Sequence, residues 1–251
     1  MEHRFHTPDR VELDVNVPFG EIDVQTVDGE ETTVWVDGDE AIVEATEVRQ
    51  DGRRIVVQLR GKKGFGITIS IGDFSFTNRR LSIRVAVPHG SRAELTTASA
   101  DMKVRGRVEA LEVKSASGDL AVVGEVERDA VVKTVSGDVR IPHVGGELRV
   151  QTVSGDANAG FVGGGVVAKS VSGDTHVAHA RQGNVNVQSV SGDIEIGVPQ
   201  GTNLDVDAGS VSGDLTSEVP LGSERTGDDD GPTLIVRGKT VSGDFRVFRA
   251  A

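Results

Sequence analysis

The chain has 251 residues, no cysteine, 32 glycines and a formal net charge of -12. The lack of cysteine excludes disulfides and thiolate-held zinc or iron–sulfur centres, and the acidity argues against non-specific binding of nucleic acid or anionic lipid, which reward positive charge. The apolar residues are mainly Val, Ile and Leu, as strands require, and no Gly-X-Y period suggests collagen.

Met1 to Phe5 carry no apolar signal region, and no later stretch approaches the ~18 apolar residues of a membrane helix. A cytoplasmic chain without an integral membrane segment is therefore expected. Period-2 alternation predicts strands over 11–15, 21–25, 32–36, 41–48, 54–59, 66–71 and 81–87. Asp28-Gly29, Asp37-Gly38 and Asp51-Gly52 mark turns between them. No helix is expected. One hairpin differs from the rest: Phe65, Ile67 and Ile69 alternate with small residues, Gly72-Asp73 suits a tight turn, and Phe74 and Phe76 return. Lys62-Lys63 and Arg79-Arg80 flank it. It reads either as a core-facing cap or as a docking element for a partner or membrane surface.

From residue 95 onward the chain repeats itself. Ser-Gly-Asp recurs at Ser117-Gly118-Asp119, Ser136-Gly137-Asp138, Ser154-Gly155-Asp156, Ser172-Gly173-Asp174, Ser191-Gly192-Asp193, Ser212-Gly213-Asp214 and Ser242-Gly243-Asp244. Ser99-Ala100-Asp101 is a degenerate earlier copy. The spacing is 18 or 19 residues up to Ser191, then 21, then 30. The longest spacing contains Asp228-Asp229-Asp230 and reads as a solvated insert.

Each copy has the same internal grammar. One and three residues after the Asp come apolar side chains such as Val139 and Ile141, with a polar residue between them. Before the motif, residues such as Leu148 and Val150 alternate with outward Lys133, Gln151 or Lys169. The two alternations are out of phase, so a bend must separate two short strands. Gly118, Gly137, Gly155, Gly173, Gly192, Gly213 and Gly243 would supply the unusual backbone angles at that bend. The valine just before the motif, as in Val135 and Val153, fits the inward phase of the second strand. A unit this small cannot bury its apolar side alone, whereas stacked units can. The expected fold is all-β: a β-solenoid of 18–19-residue repeats over 95–251, continuous with a divergent β-stranded cap over 1–94.

In such a stack Asp119, Asp138, Asp156, Asp174 and Asp193 form a ladder. Two unit charges at a strand spacing of ~4.8 Å repel by roughly 3.5 kcal/mol at an effective dielectric of about 20, and by under ~1 kcal/mol in water. The carboxylates must be solvated, bonded to turn amides, or bridged by calcium; the turn role is favoured. A carbohydrate-active enzyme built on paired carboxylates is the least favoured reading, because seven equivalent corners lack the asymmetry of an active site. No catalytic residue, cofactor or dedicated metal site is assigned. The hydroxyls at Ser115, Thr134, Thr152, Ser170, Ser189, Ser210 and Thr240 are expected to bond along the stack.

The tandem Thr/Ser-Val-Ser-Gly-Asp copies at 134–138, 152–156, 170–174, 189–193 and 240–244 resemble the bacterial putative adhesin family, whose members are mostly of unknown function. The resemblance spans roughly 11–247. It implies a β-helix-like fold and an envelope or adhesion-type role, with no catalytic residues to carry over. The expected function is a non-enzymatic binding or scaffold protein, monomeric or a small oligomer, whose partner is an unspecified protein or envelope component and not nucleic acid. The alternative is a bactofilin-like self-assembling filament, since open solenoid ends are unpaired edges.

Overall fold

The structure is a computed structural model and describes residues 1–60, 80–219 and 231–250. Within each repeat the strand before the motif joins one sheet and the strand after it joins the other. Among the described residues the upstream sheet has 11 strands and the downstream sheet 12. One strand from each makes a rung, named here by its residues. The repeats from 92–108 to 183–198 stack in parallel and in register, apart from one shift between Ala121 and Val126 where Leu120–Val126 meets Val139–Val144. Leu148, Arg149, Val150 and Gln151, for example, face Val166, Val167, Ala168 and Lys169. Ala157, Asn158 and Ala159 face Thr175, His176 and Val177 across the other sheet.

The core lies between the two sheets. Leu148 and Val150 bury from one side, Ala157 and Ala159 from the other. A third inward position, missing from the sequence reading, closes the far edge of the rung: Val126, Val144, Val162 and Ala180 are all fully buried. Isolated, a rung would bury little; stacked, each apolar ladder removes its side chains from water along the whole axis.

Chain order and stack order part company at both ends. Glu12–Asn16 lies between Arg92–Thr96 and Arg54–Leu59, and Phe19–Val27 lies between Ser99–Val108 and Leu81–Pro88. Rung 12–27 is thus internal, and the rung made of 54–59 and 81–88 lies outside it. At the other end Thr233–Ser242 sits between Gly183–Gln188 and Asn203–Ser212. Phe245–Arg249 likewise sits between Ile194–Val198 and Leu215–Ser217. The last repeat in the chain is the next-to-last rung, and 203–217 forms the end.

The N-terminal end carries antiparallel strands, with Glu2–His6 on Glu31–Gly38, Glu31–Gly38 on Leu81–Pro88, and Thr46–Asp51 on Arg54–Leu59. Two details of the sequence reading are corrected there. Glu40–Ala45 is a short helix, not the start of a strand over 41–48, and the strand begins only at Thr46. Ala41, Glu44 and Ala45 are strong helix formers, and burial of Ile42 fixes the turn onto the stack. The Thr46 hydroxyl donates to the Ile42 carbonyl at 2.8 Å and closes it. The hairpin holding Phe65, Ile67, Ile69, Phe74 and Phe76 lies outside the described residues. Among the described residues no helix is long and apolar enough to cross a membrane.

Candidate functional site: the repeated corner

The corner joining the two sheets runs Lys or Gln, hydroxyl, Val, Ser, Gly, Asp in rungs 130–144 through 183–198 and in 233–249. Its backbone is wired to both neighbours. Ser154 N–H donates down to the Val135 carbonyl at 2.8 Å, and Gly155 N–H donates up to the Ser172 carbonyl at 3.3 Å. The next amide, Asp156 N–H, is received by a side chain, Oδ1 of Asp138, at 3.0 Å.

That bond repeats the length of the stack. Asp119 donates to Asp101 at 3.1 Å, and Asp138 to Asp119 at 2.8 Å. Asp174 donates to Asp156 at 2.9 Å, and Asp193 to Asp174 at 2.8 Å. Asp244 then donates to Asp193 and Asp214 to Asp244, each at 2.8 Å. Each carboxylate but that of Asp214, on the last rung, caps the amide of the rung above. An unpaired amide would otherwise cost about 1–3 kcal/mol if kept from water, so an acceptor on a short side chain is needed at that position. Among the described residues no three His, Cys, Asp or Glu side chains gather into a metal-binding group.

The seven corner glycines have φ between 106° and 157°. At Gly155 a Cβ would press on the carbonyl of Gly137, and at Gly173 on that of Gly155. Both the backbone angle and the close approach between rungs therefore require glycine there.

The valine before the motif faces the other way from the sequence expectation. Val135, Val153, Val171, Val190 and Val241 are 45–51% exposed, and Val211 is 81% exposed. The physical reason is that the bend falls after the valine and not before it. The valine keeps the outward phase of the upstream strand, two residues after the exposed Lys or Gln. Six valines thus form an uncovered apolar row along the corner, the feature that sequence reasoning missed.

The hydroxyls between them point inward. Ser115 and Thr134 donate within their own rungs, to the carbonyls of Ser117 at 2.7 Å and Ser136 at 3.3 Å. Only Ser210 reaches a neighbouring rung, donating to Gly243 at 3.1 Å. Thr152, Ser170, Ser189 and Thr240 have buried hydroxyl oxygens without a partner. The expected hydroxyl ladder along the stack is therefore absent.

Charge is sorted across the corner. Lys133, Lys169 and Lys239 stand on the upstream side of the valine row and form no ion pair with any described residue. The aspartates stand on the downstream side, and the closest cation to any of the seven is Arg140, 3.9 Å from Asp138. An open groove of about 680 Å³ runs between Lys169, Gln188 and Lys239 on one wall and Val190, Val241 and Val211 on the other.

Residues 11–247 match the Toastrack DUF4097 family. The chain belongs to that family. No curated protein matches it. Among solved structures it is similar to a putative adhesin from Bacteroides fragilis, at 13% identity and a TM-score of 0.60, covering 98% of this chain and 96% of that one. It is equally similar to a putative lipid binding protein from Parabacteroides distasonis, at 15% identity and a TM-score of 0.59, with the same coverage. At such identity these likenesses show a shared fold and nothing finer.

Proposed function

We propose that this Toastrack protein is a non-enzymatic scaffold that binds an envelope component or protein through its corner. The single observation that carries the reading is the valine row. Soluble proteins rarely leave a contiguous apolar strip uncovered without a use for it. The adhesin-type relative from Bacteroides fragilis is in keeping with such a role. In this reading 1–94 is the cap and 95–251 the solenoid of one continuous domain.

The test compares wild type with Val153→Asp/Val171→Asp for binding to immobilised bacterial envelope preparations. Thermal melts first establish that both proteins are folded. Binding lost in the variant supports the reading. Equal binding, or none by either protein, removes it.

End-to-end assembly is a second reading, favoured by the state of the last rung. Leu215 occupies the position of Leu120, Val139 and Ile194, which are at most 3% exposed, yet it is 52% exposed, with no rung of described residues over it. Among the described residues Asn203–Ser212 is paired on one side only. Against long filaments stand the opposite edges, Glu2–His6 and Thr46–Asp51, which carry Glu2, Arg4, Glu47, Arg49 and Asp51. Edge charges of this kind discourage further strand pairing.

A further inference from the structure

We propose that the corner of one chain docks on the corner of a second copy, related by a two-fold axis parallel to the stack. The inference rests on the reading of the corner as the interaction face and names one occupant for it. Charge complementarity selects the occupant. Along the strip run three rows: Lys133, Lys169 and Lys239 interleaved with Gln151 and Gln188 upstream, valines in the middle, aspartates downstream. A two-fold axis parallel to the rows exchanges left and right between facing copies. It sets lysines over aspartates and valines over valines. A two-fold axis perpendicular to the rows would set lysines over lysines and aspartates over aspartates, and so would be repelled.

The periodicity makes the match possible at every level. All rungs share one strand spacing, and a two-fold axis parallel to the stack sets each rung opposite its own equivalent, so Lys133, Lys169 and Lys239 each meet the partner's aspartate of the same level. Each carboxylate already uses one oxygen on the amide above it, which leaves the other for the partner's ammonium groups. The contact is isologous and closes at two copies. Six valine rungs span only ~24 Å at ~4.8 Å each, so the strip covers less than the roughly 800 Å² per partner of a standard stable interface. The association is accordingly weak, concentration-dependent and weakened by salt.

The chain has no cysteine, so single cysteines report on the geometry. Val135→Cys and Val211→Cys lie at opposite ends of the row, and Gln182→Cys lies in a return turn away from the corner. Each purified full-length variant is treated with a short bismaleimide. In the parallel arrangement Val135→Cys and Val211→Cys each couple to themselves severalfold more than Gln182→Cys. Sedimentation velocity of the wild type should show a dimer that grows with concentration and shrinks in high salt, and Val153→Asp/Val171→Asp should abolish it. Coupling of Val135→Cys with Val211→Cys in a mixture, without self-coupling, would mean an antiparallel pair and would overturn the proposal. So would a chain that stays monomeric at its highest soluble concentration, or a dimer indifferent to the double variant. A monomer that still binds envelope material in a valine-dependent way would sink this inference and leave the corner as a binding face intact.

Discussion

Asp244 donates its amide hydrogen to Oδ1 of Asp193 at 2.8 Å, although 51 positions separate the two residues. The bond is the same one that joins neighbouring repeats elsewhere, so rung 233–249 has been slotted in beneath rung 203–217. Tucked in this way, the final strands are covered on both sides, while an earlier segment is left at the edge.

Hydrogen exchange should therefore run against chain order. Amides at Val236 and Val247, near the C-terminus, are expected to be protected more strongly than those at Val206 and Leu215. Local opening is cheapest where a strand has one neighbour and few buried contacts. Val236 and Val247 are at most 1% exposed, whereas Leu215 is 52% exposed. Protection that falls steadily toward the C-terminus would contradict the rung order.

Gly173→Val should destabilise the fold by well over ~1 kcal/mol, since a β-branched residue resists positive φ and its Cβ would press on the Gly155 carbonyl. Lys169→Ala, four residues away, is exposed and unpaired and should change stability by less than ~0.5 kcal/mol. Urea titration of the two variants gives the comparison. Similar midpoints would mean that the corner is not the strained element.

The repeat, the two out-of-phase strands and the position of the bend glycine were legible because stacking forces each rung to obey the same inward and outward rule. Three features were not. The phase of Val135 was misjudged because alternation reveals that a bend exists but not on which side of a single residue it falls. The exchange of the end rungs leaves no local trace: residues 233–249 carry the same pattern as any other repeat, and only their pairing to 183–198 reveals their place. The helix Glu40–Ala45 was read as strand because a six-residue segment is too short to separate period 3.6 from period 2. The sequence shows a row of aspartates at the turns, but not that each carboxylate receives the amide of the next rung.

Acid should expose a second set of links between rungs. Glu109 sits 3.2 Å from Arg92, 3.6 Å from Arg128 and 4.0 Å from Arg10, at the return edge of three successive rungs. The hydrogen bond from Arg92, aided by the charges of Arg92, Arg128 and Arg10, holds its carboxyl below the ordinary glutamate range. A lowered folded-state pKa contributes stability that is present above the unfolded value, near ~4.3, and is lost as pH falls through the folded value. Glu109→Gln should thus melt slightly below wild type at pH 7, by no more than ~1 kcal/mol for so accessible a cluster. The gap should close in strong acid. A gap that persists or widens there would assign the effect to packing.

The aspartate row separates two roles that one substitution tests together. Asp156 accepts the amide of Asp174 at 2.9 Å while its own amide is held by Asp138 at 3.0 Å. Asp156→Asn keeps a carbonyl oxygen for that amide and removes one charge from a row of like charges. Its melting temperature should equal or slightly exceed that of wild type, most visibly at low salt, where repulsion is least screened. Asp156→Ala removes the acceptor as well and should cost about 1 kcal/mol, the low end for a lost partner at a corner that water can reach. Calcium decides whether the row has a further use. A cation bound only to the folded chain would raise the wild-type melting temperature with its concentration, and Asp156→Asn would blunt that rise. If the carboxylates serve the backbone alone, melts in calcium and in chelator coincide for all three proteins, and the order Asn at or above wild type, with Ala below, holds in both. A rise of several degrees in calcium, reduced in Asp156→Asn, would make the row a metal site.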